Sequence, residues 1–324
     1  MQETLISLQD IAVHLPQKRE SNAELSKLFE GFSFEEVAQR VGVFEKAIAA
    51  PDETALDLAE AACLKLFERV PDLAKHIDLL IFCTQSPDYR LPGNASLLHG
   101  RLNLASHAGA FDINLACSGY VYSLGIAKAL MMAGSAKEVL VVTADTYSKY
   151  LDPQDRSTRL LFGDGAAVTW LNQAEGPFKL LTSAWGSAGK GHEAFYLPAN
   201  GLRQIDKAAY IEMQGKDMLK FTYSTIPQHI KSFLAEQHLT LDDIDQVIFH
   251  QASALILDFL SSALNLKPEK VFRNLSHVGN LVSASIPVAL AEARSGFKAG
   301  QKILLSGFGA GLSWASMLLE YQDF

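Results

Sequence analysis

AFDINLACSGYVYSLGIAKALMM, residues Ala110–Met132, passes from a strand-like run through a turn of small residues into a long helix with an apolar face. Cys117 falls where the chain enters that helix. A thiol at a helix entrance sees unpaired backbone N–H groups and the positive end of the helix dipole, which predicts a thiolate-favouring site and a lowered pKa. Ala116, Ser118 and Gly119 leave room for a carbonyl group to approach the sulfur. Two readings stand on this segment: a nucleophile, or a buried structural cysteine.

Outward from this stretch, apolar runs of strand length alternate with amphipathic helical segments. Asp78–Cys83 (DLLIFC), Val139–Thr143 (VLVVT), Val247–Phe249 (VIF) and Ile303–Leu305 (ILL) are the strand-like runs; Thr54–Glu68 and Gly119–Met132 carry helical spacing. The alternation predicts an α/β architecture of sheets covered by helices. The chain also resembles itself. IDLLIF at Ile77 returns as IDQVIF at Ile244, an offset of 167; KEVLVV at Lys137 returns as KILLS at Lys302, an offset of 165; Phe111 is echoed by Phe272, an offset of 161. Matching order and spacing predict two related halves, 1–172 and 173–324, joined near NQAEGP at Asn172–Pro177.

Composition narrows the function classes. A net charge of -8 opposes a nucleic-acid partner, since there is no excess of Lys and Arg to neutralise phosphates. No apolar run reaches the roughly 18 residues of a membrane span, and MQETLISLQDIAVHLP does not read as a signal peptide. Cys63, Cys83 and Cys117 lie far apart without a CxxC pair, so no disulfide framework is expected and a reducing cytoplasm is the expected home. His99, His107 and His192 have no ligand spacing and no HExxH occurs, so no metal is expected.

Three further segments carry polar residues at expected strand ends. His250 opens HQAS after a buried-type strand, Asn280 sits in HVGNLVSASIP, and SGFGAGLSW (Ser306–Trp314) follows a strand with glycines that permit close backbone approach. That glycine run lacks the helix and acid of a dinucleotide fingerprint, and LSWASMLLEY alternates like a strand. FGDGAA reads as a tight turn with Asp164 bonding backbone.

With ACSG, HQA and GN in this order, the chain resembles the β-ketoacyl-ACP synthase III family of thiolase-like condensing enzymes. RVGVFEKAIAAPDE at Arg40, SPDYRLPGNA at Ser86, DRSTRLLFGDGAA at Asp155, MQGKDMLKF at Met213 and GFGAGLSW extend the resemblance nearly end to end. It implies a thiolase-like fold of two duplicated βαβ-type halves in α-β-α-β-α layers. It implies Cys117 as acyl-accepting nucleophile, His250 and Asn280 as the pair holding a malonyl thioester carbonyl, and backbone N–H groups of Cys117 and Ala310 as the oxyanion hole. Arg40, Arg156, Lys220 and Ser253 are implied at the CoA or phosphopantetheine arm. The implied partners are acyl-CoA or acyl-ACP and malonyl-ACP or malonyl-CoA, with a homodimer as assembly and no metal or redox cofactor.

Departures from the family pattern cluster at the substrate side. HQAN reads HQAS at Ser253, GNTSAAS reads GNLVSAS at Leu281 and Val282, and Glu36 stands where a tryptophan stacks on the CoA adenine. Leu255, Ser262 and Ala263 replace the basic residues that dock an acidic carrier protein, and Ala310 takes the middle glycine of GFGGG. The expectation is therefore decarboxylative condensation, in a secondary pathway. Two alternatives are transfer of the Cys-bound acyl group to an alcohol or amine without decarboxylation, and a non-catalytic partner subunit.

Overall fold

The computed structural model describes residues 5–29, 39–198 and 210–323. The first half supplies β1 (Ser7–His14), β2 (Arg19–Ser21), β3 (Glu45–Ala47), β4 (Leu79–Cys83), β5 (Gly109–Ile113), β6 (Val139–Asp145) and β7 (Gly165–Asn172). The second supplies β8 (Phe178–Ser187), β9 (Phe195–Tyr196), β10 (Glu212–Met213), β11 (Gln246–Phe249), β12 (Lys302–Gly309) and β13 (Ser313–Tyr321). Six main helices accompany them: α1 (Ala55–Arg69), α2 (Asn94–Arg101), α3 (Gly119–Met132), α4 (Gly215–Glu236), α5 (Ala254–Ala263) and α6 (Ser285–Ala293).

Hydrogen bonding joins nine strands in the order β11-β12-β13-β8-β1-β7-β6-β4-β5. The two halves read outward from the β8–β1 seam in the same sequence. β4 pairs parallel with β6, and β6 antiparallel with β7; likewise β11 pairs parallel with β12, and β12 antiparallel with β13. The repeated IDxxIF runs are thus β4 and β11 in equivalent places. Phe111 of β5 pairs with Ile81 of β4, and its echo Phe272 follows Val271, which bridges Val247 in parallel. In the second half that outermost position is a single bridge rather than a strand.

The apolar strand β4 and the largely apolar β6 are buried along their whole length, as strands covered on both faces must be. α3 is the central helix: it packs against β4 and β6 on one side and against β8, β12 and β13 on the other. α6 joins it in the middle layer against β1, β7 and β11. α1 covers β1, β6 and β7 from outside, opened by a capping box between Thr54 and Asp57. α4 covers β12 and β13 from the opposite outside face, with α5 against it. The result is the layered α-β-α-β-α arrangement of the thiolase-like class. Separate apolar cores fill the middle layer and the two outer layers, and a smaller fourth core surrounds Cys117.

A close backbone-to-backbone contact between halves lies at the head of α3. A Cβ on Gly307 of β12 would fall 2.5 Å from the Cys117 carbonyl oxygen and 2.9 Å from the Ser118 Cα, both backbone atoms. Neither can swing aside, so only glycine lets β12 pass behind this turn. Gly307→Ala is expected to lower unfolding stability by about 1–3 kcal/mol, the usual cost of overpacking. Chemical denaturation checks this; an unchanged midpoint would show that the two halves are not locked here.

Candidate active site

The turn that carries Cys117 is held by hydroxyls as well as by packing. The Gly119 N–H donates to the Ala116 carbonyl at 2.8 Å, closing the turn before α3 begins. Ser313 donates its hydroxyl to the Ala310 carbonyl at 2.9 Å, so its oxygen is left to accept from Ser118 at 2.8 Å. This chain ties the Cys117 turn to the β12–β13 connection. A Cβ on Gly309 would lie 2.9 Å from the Cys117 sulfur, which places the end of the β12 backbone directly beside the thiol. Ala310 follows and shares the small apolar core with Cys117.

The electrostatic expectation for Cys117 needs correction. The thiol does sit at the head of α3, but it is only 4% exposed, and burial pushes its pKa up rather than down; the Asp145 carboxylate adds to the rise. Desolvation of the thiolate outweighs the helix end. The free enzyme therefore holds a neutral thiol.

His250 follows the last residue of β11, with its N–H on the Ser306 carbonyl at 2.8 Å. Its ring meets Phe308 edge-on, with centroids 5.9 Å apart, and buried Nδ1 has no hydrogen-bond partner. Burial lowers its pKa to about 3, so the imidazole is neutral at physiological pH. The adjacent Gln251 is a structural tie: its side chain donates to the Phe249 carbonyl and accepts from the Asn274 N–H.

Asn280 comes from a different layer. Its N–H donates to the Leu161 carbonyl and its carbonyl accepts from the Gly163 N–H, each at 3.0 Å. Oδ1 accepts the Val282 N–H at 2.9 Å, which assigns the amide orientation and leaves Nδ2 as donor, with one long contact of 3.5 Å to the Ala252 carbonyl. Val282 holds that N–H in place at φ 53°, the left-handed region that a β-branched residue rarely adopts. The replacement of a small polar residue by valine is thus accommodated by strain at the residue that orients Asn280.

Cys117, His250 and Asn280 line one cavity of about 230 Å³. Its walls are mainly apolar, from Phe162, Phe195, Met218 and Phe308, and exposed Arg40 stands at its lining with Ser157 and Ser253. Ser253 caps α5, its Oγ accepting the Ile256 N–H at 3.3 Å. Lys220 does not reach this cavity. On α4, Gly215, Met218, Leu219 and Thr222 face the site at helical spacing, which turns Lys220 with Asp217 into a separate depression. Arg156 is exposed and does not line the cavity, although its neighbour Ser157 does. Glu36 lies outside the described residues. No group of His, Cys, Asp or Glu among the described residues is arranged to hold a metal ion. No helix among them is long and apolar enough to cross a membrane.

One residue of consequence was missed from sequence. Asp145 ends β6 fully buried, accepting from the Gln85 N–H at 2.9 Å and the Ser86 hydroxyl at 3.2 Å on one oxygen, and from the Ser283 N–H and hydroxyl at 3.2 and 2.5 Å on the other. It joins the β4 end to the Asn280 segment, and burial raises its pKa to about 6. Its only signal was a charge closing a largely apolar run.

Fold and site together define a condensing enzyme of the thiolase-like class. The models for 3-oxoacyl-[acyl-carrier-protein] synthase III match residues 111–189 and, for its C-terminal part, 234–321. The chain is 36% identical over 317 residues to the β-ketoacyl-[acyl-carrier-protein] synthase III of Caldanaerobacter subterraneus subsp. tengcongensis, covering 95% of each chain. A crystal structure of a 3-oxoacyl-(acyl-carrier-protein) synthase III superposes with a TM-score of 0.93 at 36% identity, covering 98% of this chain and 100% of the other. The priming β-ketosynthase from the R1128 polyketide pathway matches with a TM-score of 0.89 at 27% identity, covering 98% and 96%. The chain belongs to the β-ketoacyl-ACP synthase III family.

Two outcomes follow from the site. Because an unfolded histidine protonates near 6.5 and His250 only near 3, the native state binds fewer protons and loses stability as pH falls through that window. His250→Gln is expected to flatten part of this acid limb, and the His250 C2–H resonance to stay unshifted from pH 8 to 5; a titration near 6.5 would contradict the burial argument. Asp145→Asn places an amide N–H2 against N–H and O–H donors. We expect a loss of about 1–3 kcal/mol in denaturation experiments, and wild-type stability in that variant would show the network to be incidental.

Proposed function

We propose that this enzyme transfers an acyl group from a CoA or carrier-protein thioester to Cys117 and then condenses it with a malonyl thioester, releasing carbon dioxide and a 3-oxoacyl thioester. The single observation behind this reading is the convergence of Cys117, His250 and Asn280, from three separate segments, on one apolar cavity.

In the first half-reaction the Cys117 sulfur attacks the acyl carbonyl. The oxyanion is met by the N–H groups of Cys117 and Ala310, and the thiol proton ends on the departing thiol. A neutral resting thiol suits this exchange, because ionisation occurs only when thioester and donors are in place. In the second half-reaction neutral His250 and the Asn280 Nδ2 donate to the malonyl thioester carbonyl. The carbon–carbon bond to the carboxylate breaks, carbon dioxide leaves, and the enolate held by those donors attacks the acyl-cysteine carbonyl. The new carbon–carbon bond expels the Cys117 thiolate, which takes a proton from water. These steps use no metal or redox cofactor.

Arg40 is the cation suited to a phosphate of the thioester arm, with Ser157 and Ser253 beside it; Arg156 and Lys220 would act only from outside the cavity. At α5 the exposed Leu255 stands where a basic residue would attract an acidic carrier. This favours a role other than housekeeping initiation, and a reducing cytoplasm suits a thiol nucleophile. Assembly as a homodimer through the β5 edge is part of the proposal, supported by the edge position of that strand and by Phe111, 38% exposed upon it.

Intact-protein mass measured after mixing with acyl-CoAs and acyl-ACPs tests the first half. Wild type should gain the acyl mass and Cys117→Ala none; a gain that survives the substitution, or no gain with any donor, removes the proposal. His250→Ala should still acylate while malonyl decarboxylation falls about 10²- to 10³-fold, the usual effect of losing one oxyanion donor. Full turnover without any malonyl donor would instead establish transfer to an alcohol or amine.

A further inference from the structure

A second cavity of about 320 Å³ adjoins the first, and neither Cys117 nor Arg40 is among its lining residues. The two cavities share Phe195 as a wall, and Gly309 of the first is followed by Ala310 of the second. Tyr147, Phe195, Ile211 and Ala310 of the second cavity all belong to the apolar core that contains Cys117. An acyl group on the Cys117 sulfur that extends past Phe195 and Ala310 would enter this space.

Its lining is not that of an alkyl pocket. Tyr147, Tyr150, His192, Phe195 and Tyr196 supply five rings, against Leu197, Ile211 and Ala310 as the aliphatic surface. Tyr147 meets Tyr150 and Phe195 edge to face, each with centroids 6.4 Å apart. Two side-chain amides, Gln85 and Asn114, complete the wall. The Tyr147 hydroxyl donates to Gln85 Oε1 at 2.6 Å, so the Gln85 amide has its N–H2 left to give, while its backbone N–H is anchored on Asp145. A saturated chain here would set methylenes against amides and phenol oxygens, which costs the hydrogen bonds they make to water. A ring extends the edge-to-face pattern, and a ring oxygen meets the amide donors. Space is sufficient, since a cavity of about 150 Å³ already admits benzene.

We propose that this cavity selects an aromatic acyl group, preferably one bearing an oxygen substituent on the ring, as the primer carried by Cys117, with Gln85 and Tyr150 as specificity-determining residues. The inference rests on the acylation reading given above and extends it to a substrate class.

The test is the acylation rate of Cys117, followed by intact mass, with acetyl-CoA, octanoyl-CoA, benzoyl-CoA and 4-hydroxybenzoyl-CoA. The two aryl donors should exceed octanoyl-CoA by about tenfold or more, within the range a pocket of fitted shape achieves. Gln85→Leu and Tyr150→Leu, each partly exposed and so tolerant of substitution, should each lower the aryl-to-octanoyl rate ratio at least about fivefold. Octanoyl-CoA matching or outpacing the aryl donors, or a ratio unmoved in both variants, overturns the assignment while leaving acylation of Cys117 intact. Labelling by none of the four and by no acyl-ACP overturns the acylation reading, and this one with it.

Discussion

The site depends on one steric constraint: the backbone of β12 must pass within contact distance of the turn that presents Cys117. Gly307 and Gly309 make that passage possible, and the Ser118–Ser313–Ala310 hydroxyl chain fixes its register. Cys117 belongs to one half of a duplicated fold and its Ala310 neighbour to the other. Joining the halves and building the active site are therefore the same packing event. The middle layer, with α3 gripped between strands of both halves, gives this contact its rigidity.

Exclusion of water follows from that packing and sets the electrostatics. Burial holds Cys117 as a thiol and His250 as a neutral imidazole, and raises Asp145 to about 6. Asp145, a carboxylate in water, is brought close to its titration point, and His250, partly charged in water, is held neutral. In such surroundings a hydrogen bond to a developing oxyanion or enolate is worth more than it is in water. Asp145 contributes by position: its two oxygens clasp the β4 end and the Ser283 segment, and so set the frame in which Asn280 stands.

Much of the fold was legible because its signals are local and repeated. The apolar runs at β4, β6, β11 and β12 are long enough to identify without partners, and the IDxxIF repeat foretold two strands in equivalent places. The candidate site was legible where a chemically capable residue stands just past a strand, as at Cys117 and His250, which line one cavity. Long-range packing was not. Helical phase turns Lys220 away from the cavity, and nothing in MQGKDMLKF alone says which face of α4 meets it. The direction of the Cys117 pKa was misread because helix-end chemistry is visible in sequence, whereas burial by β12 is not. Asp145 was missed for the same reason, since its five donors come from segments about 60 and 138 positions away.

The central claim is that one buried thiol carries the acyl group while two donors from the other half drive loss of carbon dioxide. The most direct measurement follows carbon: rapid-quench turnover of acyl-Cys117 enzyme with a malonyl thioester labelled at its free carboxyl. The account predicts one labelled carbon dioxide for each 3-oxoacyl thioester formed, released at the rate at which the acyl group leaves Cys117. Product that retains the label, or acyl loss from Cys117 that proceeds without label release, would contradict it.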